Sequence, residues 1–112
     1  MKKIIHIGGN LRINGISSFI MMLFRNLHND YQFIFINTAE GKDYYRKEIE
    51  NLGGKVYDVV VPGTGLLRSL RQARNIRKII RIEKPIAVHS HYFSNNGIYL
   101  AQAFEEKVPV RI

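Results

Sequence analysis

Five short apolar runs alternate with four longer segments of helical spacing along the whole 112-residue chain. The runs cover residues 3–7, 31–36, 55–61, 86–89 and 108–112. The segments between them cover 16–27, 43–52, 66–83 and 94–106. Strict strand–helix alternation is met by parallel strands joined through right-handed crossover helices. The expected fold class is therefore α/β: a Rossmann-like open parallel sheet with helices on both faces.

Local signals mark the boundaries. In segment 16–27, Ile16, Phe19, Ile20, Leu23 and Leu27 fall at helical spacing. Met21, Met22 and Phe24 widen that stripe, which predicts a helix buried on more than one side. The polar helix over 43–52 is stopped by Gly53-Gly54. Pro62-Gly63-Thr64-Gly65 reads as a loop. The longest helix, over 66–83, must end before Pro85. Ser94 or Asn95 is the expected N-cap of the last helix. No repeat or linker interrupts the pattern. The fifth run stops at Ile112 with no closing helix, so residues 1–112 are expected to be one domain truncated at its C-terminal end. A small five-strand flavodoxin-like protein is the alternative.

Composition removes several classes of function. The chain has no cysteine, which excludes disulfides, a cysteine nucleophile and thiolate metal sites. The basic start Met1-Lys2-Lys3 is followed by an apolar run broken by His6 and closed by Gly8-Gly9, which is a strand rather than a secretory signal. The longest strongly apolar stretch, residues 19–24, is far short of the ~20 residues of a membrane-spanning helix. The expectation is a soluble, cytoplasmic protein. Lysine and arginine number 17 against 9 acidic residues, a net charge of +8. That balance favours anionic partners: nucleic acid, phosphorylated ligands or an anionic membrane.

Three constellations can carry chemistry. The first is Gly8-Gly9-Asn10-Leu11-Arg12-Ile13-Asn14-Gly15, between the first strand and the first helix. Glycines there let a ligand approach the backbone, and the helix that follows points free N–H groups at the same spot. The spacing is neither the dinucleotide fingerprint nor a P-loop. A turn that needs glycine for geometry alone is the simpler reading.

The second is His89-Ser90-His91-Tyr92, at the carboxyl end of the fourth strand, where open α/β sheets bind ligands. His89 and His91 would face one side, but no carboxylate accompanies them, so no metal is expected. One histidine would pack locally while His91 is offered to a ligand. His6 and His28 read as structural, and Asp58 has no second carboxylate spaced to make an acid–base pair.

The third is the helix 66–83. Leu70, Ala73, Ile76 and Ile80 form an apolar stripe beside a basic one of Arg68, Arg71, Arg74, Lys78 and Arg81. A solvated outer face is the simpler reading. Contact with anionic lipid headgroups is the functional one. Nucleic acid ranks last, because no aromatic stacking platform accompanies the charges.

Taken in order, Lys3-Ile4-Ile5-His6-Ile7-Gly8-Gly9, Gly15-Ile16-Ser17-Ser18, Pro85-Ile86-Ala87-Val88-His89-Ser90-His91 and Val108-Pro109-Val110-Arg111-Ile112 resemble the N-terminal domain of GT-B glycosyltransferases. The nearest likeness is to the retaining family 4 group with its bacterial capsular and exopolysaccharide enzymes. The resemblance implies one of two domains facing a cleft: this one on the acceptor side, the other holding the nucleotide-sugar donor. It implies that Gly8, Gly9 and Gly15 approach the donor and that His91 contacts the transferred sugar. Asn10 and Tyr92 join them as candidates for donor or acceptor binding. No metal or other cofactor is implied. The acceptor implied is a glycan or a lipid-linked one, and a lipid-linked acceptor would place the protein peripherally on the inner face of the cell membrane. The Glu-rich motif and the basic phosphate-binding residues of the donor domain do not occur in these residues, so the segment alone is expected to be inactive. The alternative is a stand-alone, non-enzymatic α/β binding or regulatory module. A receiver domain is disfavoured, since the first strand ends in Ile7-Gly8-Gly9 without a carboxylate.

Overall fold

A computed structural model describes residues 1–8, 15–38, 44–90 and 96–112, without the side chains of residues 15, 16, 96 and 97. Gly9, Asn10, His91, Tyr92, Ser94 and Asn95 lie outside the described residues.

The strands are β1 (Lys2–Gly8), β2 (Tyr31–Asn37), β3 (Lys55–Asp58), β4 (Ala87–Ser90) and β5 (Val110–Arg111). The helices between them are α1 (Gly15–Leu27), α2 (Arg46–Asn51), α3 (Gly65–Glu83) and α4 (Asn96–Glu105). The sheet is parallel throughout, in the order β3-β2-β1-β4-β5. The expected Rossmann-like arrangement is thus present.

The alternation of side chains along the central strands sorts two cores. Phe33 and Phe35 of β2 meet Ile20, Met21 and Phe24 of α1, with Ile49 of α2 and Tyr45 at its N-terminus. Ile34 and Ile36 of β2 and Ile5 and Ile7 of β1 meet Ala73, Ile76 and Ile80 of α3, with Tyr99 and Ala103 of α4. One face is therefore aromatic and the other aliphatic, with helices on both. Arg25 of α1 grips Glu48 of α2 through two hydrogen bonds, 2.5 and 2.8 Å long. The pair is half-exposed, so its stabilising effect is modest.

Several expected boundaries move. The third strand stops at Asp58 instead of running to Val61. Its partner β2 ends at Asn37, opposite Asp58, and only Val59 N–H reaches back to Asn37 O. Beyond that point no neighbouring backbone among the described residues completes a ladder. The fifth strand shrinks to Val110–Arg111. Val108 N–H is already committed to Ala103 O at the end of α4, and Pro109 has no N–H. Helix α3 ends as expected before Pro85: Lys84 turns left-handed at φ 50° and donates to Ile80 O.

Two burial expectations are corrected. Helix α1 is buried on one side only, since Phe19 and Met22 are each 51% exposed. The α3 apolar stripe loses Leu70, which is 50% exposed while Ala73, Ile76 and Ile80 are buried. In both cases the sheet covers a narrower arc of the helix than the apolar residues span.

Gly53 and Gly54 turn the chain from α2 into β3 for different reasons. Gly53 adopts φ +88° in open space. A Cβ on Gly54 would stand 2.6 Å from Ile49 Cγ2 and 3.1 Å from Phe24 Cζ. We expect Gly53→Ala to cost about 1 kcal/mol through backbone strain and Gly54→Ala about 1–3 kcal/mol through overpacking. Urea denaturation of the two variants checks the ranking.

Candidate functional site

Strands β1 and β4 are neighbours, with Ile7 opposite Ser90 in register. The chain leaves β1 for α1 on the aromatic face and leaves β4 for α4 on the aliphatic face. Adjacent strands followed by helices on opposite faces make this carboxyl edge the topological switch point of the sheet, the place where such sheets bind ligands. The glycine loop starts from Gly8 and the His-Ser-His motif ends just past Ser90, so the structure brings these two sequence motifs to adjacent strand ends. Gly9, Asn10, His91 and Tyr92 themselves fall outside the described residues, and Gly15 is described only as the first residue of α1.

Beneath this edge runs a buried chain of hydrogen bonds that the sequence did not announce. Thr38 Oγ1 donates to Gly8 O at 2.6 Å. Thr38 O in turn accepts from Gln72 Nε2 of α3 at 3.0 Å. Gln72 Oε1 accepts from the Tyr99 hydroxyl of α4 at 2.9 Å. Thr38, Gln72 and Tyr99 are all 2% exposed or less. The chain ties the last residue of β1 to the helix that follows β4, so both sides of the switch point share one buried support. A glutamine falling on the inner, apolar side of α3 was the only signal available in the sequence.

His89 faces the same side as His6, its register partner on β1, with ring centroids 5.7 Å apart. His6 is buried and stacked on Phe33 and Phe35 at 5.1 and 5.7 Å, a core histidine as its position in a strand implied. Burial holds the His89 pKa below its ordinary value, so the neutral imidazole prevails near neutral pH. Among the described residues no three His, Asp or Glu side chains gather into a metal-binding group.

At the end of β3, Asp58 accepts from Asn37 Nδ2 at 3.0 Å and from Arg46 Nη2 at 2.6 Å. Burial alone would raise its pKa, but the Arg46 and Asn37 hydrogen bonds and the Arg46 charge together lower it. Asp58 is thus an ionised strut between β2, β3 and α2 rather than an acid–base group.

Among the basic residues of α3, Arg68 Nε donates to Val61 O, and Arg77 and Arg81 both reach Glu106. Arg71, Arg74 and Lys78 are exposed and form no ion pair among the described residues. No described helix is long and apolar enough to cross a membrane.

Two outcomes follow from this geometry. Gln72→Leu strips partners from two buried groups and is expected to cost on the order of 3 kcal/mol, with Tyr99→Phe costing about 1 kcal/mol; chemical denaturation measures both. The depressed His89 pKa means the folded state resists a proton that the unfolded chain accepts near pH 6.5. Stability should fall as pH drops from about 6.5 toward the lower folded value, and His89→Gln should flatten that part of the stability–pH curve.

The sequence matches no protein-family model and no curated protein sequence. Solved structures do match the fold. A glycosyltransferase from Rickettsia africae superposes with a TM-score of 0.74 at 15% identity, over 98% of this chain and 28% of its own. MurG from Acinetobacter baumannii gives 0.71 at 12% identity, over 98% and 34%. A UDP-GlcNAc 2-epimerase from Neisseria meningitidis, bound to UDP-GlcNAc, gives 0.69 at 21% identity, over 98% and 31%. The chain spans only about a third of the length of these proteins. At these identities the likeness is one of fold: the chain has the Rossmann-like α/β arrangement that two glycosyltransferase-type structures and an epimerase share over part of their length.

Proposed function

We propose that this chain is the acceptor-side part of a glycosyltransferase that moves a sugar from a nucleotide-sugar donor to a glycan or lipid-linked acceptor. The observation that carries the reading is the pairing of two strand ends at one switch point, the glycine loop leaving Gly8 beside the His-Ser-His motif leaving β4. Gly8, Gly9 and Gly15 would let the donor diphosphate lie close to the backbone, with the N-terminus of α1 favouring its negative charge. Asn10 and Tyr92 would line the same switch point. His91 would contact the transferred sugar.

The division of labour follows from the chemistry. Charge that develops on a leaving diphosphate is best met by fixed N–H dipoles, which need no reorganisation. The buried Thr38–Gln72–Tyr99 chain supplies that fixity beneath Gly8. The donor nucleotide would be held chiefly by a second domain outside these residues. Polysaccharide synthesis at the cytoplasmic face of the cell membrane is the setting this reading implies.

The test is a transfer assay with the protein that carries this segment, using a panel of nucleotide sugars and lipid-linked or glycan acceptors. Release of nucleoside diphosphate coupled to a glycosylated acceptor is the expected result. His91→Ala should lower turnover by about 10²–10³-fold, as loss of one transition-state contact does, with a smaller change in donor KM. Conversion of the donor to an isomeric nucleotide sugar without transfer would overturn the reading, and so would full activity of His91→Ala.

A further inference from the structure

Helices α3 and α4 end alike. Each runs into a Glu-Lys pair closely followed by a proline: Glu83-Lys84-Pro85 and Glu106-Lys107-Val108-Pro109. Lys84 and Lys107 both turn left-handed, at φ 50° and 59°, and no other non-glycine residue among the described ones does so. Glycine is the usual residue at such a helix stop, because a side chain strains it. Strands β4 and β5 are neighbours, with Ala87 opposite Val110, and Val110 N–H donates to Ile86 O. The two lysine turns therefore lie side by side at the amino edge of the sheet. Gly8 and Ser90 mark the opposite edge.

Between the two turns is a pocket of about 300 Å³. Its floor is apolar, with Ile80, Pro85 and Val108 all buried. Its walls hold Arg81, Lys84 and Lys107 with one carboxylate, Glu106. That carboxylate is already shared by Arg77 and Arg81, at 3.0 and 2.7 Å. Lys84 and Lys107 are exposed and form no ion pair among the described residues. Nor do their ammonium groups serve as helix caps. Ile80 O is met by the Lys84 N–H, Phe104 O by the Lys107 N–H and Ala103 O by the Val108 N–H.

We infer that this pocket binds a small phosphomonoester, with its phosphate between Lys84 and Lys107 and its organic part on Ile80, Pro85 and Val108. Charge decides the head group. A phosphomonoester carries nearly two negative charges at neutral pH, and lysine meets phosphate as a point charge without fork geometry. Arg81 is turned to Glu106, so it adds positive field rather than a direct contact. The floor decides the rest, because an organic group there takes apolar surface out of water. The volume suits a small molecule. The occupant is neither the sugar donor nor the acceptor, since it sits at the edge of the sheet away from the switch point.

The test uses no donor and no acceptor, so it stands apart from sugar transfer. Phenyl phosphate is titrated by calorimetry into the protein that carries this segment, at fixed ionic strength. It should bind and raise the melting temperature. It should bind at least about fivefold more tightly than inorganic phosphate, which lacks the ring, and than benzoate, which carries one charge. K84G/K107G removes both cations and relaxes both left-handed turns, so that variant should melt near the wild-type temperature while affinity falls at least about tenfold. K84R/K107R keeps the charges and should bind within about threefold. K47Q/R71Q removes two cations elsewhere and should change binding by less than about twofold. In protein labelled with ¹⁵N-lysine, the Lys84 and Lys107 amides, identified by their loss in the arginine variant, should move on titration. The inference is overturned if phenyl phosphate does not bind, or if inorganic phosphate or benzoate binds equally well. It is also overturned by a glycine variant that binds like wild type, by an equal loss in K47Q/R71Q, or by lysine amides at 84 and 107 that stay still while others move.

Discussion

Strand β1 is enclosed on every side, and the rest of the molecule is arranged around that enclosure. Its edges pair with β2 and β4, and Ile5 and Ile7 are wholly buried against α3 and α4. His6 lies on the other face against Phe33 and Phe35. A central strand buried on both faces cannot shift register without moving apolar side chains into water or into the opposite core. That constraint places Gly8 at the carboxyl edge, next to the end of β4.

The crossover of α3 makes this placement functional. Chain order carries β1, β2 and β3 outward in one direction, and α3 then brings the chain back across the aliphatic face to β4. The helices of the first half pack on one face and those of the second half on the other. The switch point at the strand ends is a geometric consequence of right-handed crossovers, not a separate device. The buried Gln72 sits on this returning helix, so the element that creates the switch point also braces it. The same helix turns its remaining side outward with leucines at one end and exposed cations after them.

Much of this order was legible in the residues. Periods of two and 3.6 separated strands from helices, Gly53-Gly54 and Pro85 marked two helix ends, and the motifs after β1 and β4 stood out by composition. The misreadings share one cause. The reach of the third and fifth strands depended on where a neighbouring strand stopped and on a helix end that had already claimed Val108 N–H. The exposure of Phe19, Met22 and Leu70 depended on how wide an arc of each helix the sheet covers.

The candidate site divides in the same way. Which residue types follow the first and fourth strands is a property of the sequence, because strand ends and glycine turns are local. That Gly8 and Ser90 end up on adjacent strands is a property of the sheet order. The tie from Gly8 through Thr38 and Gln72 to Tyr99 joins four distant parts of the chain. Likewise, Arg74 and Arg81 fall on one side of α3 by helical spacing, and only Glu106, 25 residues beyond Arg81, distinguishes them. The sequence by itself determined the elements and their chemistry, since these follow from near-neighbour periodicity. Tertiary structure alone decided which groups meet, which are buried and which cations remain outward, because those outcomes come from contacts between residues far apart in the chain.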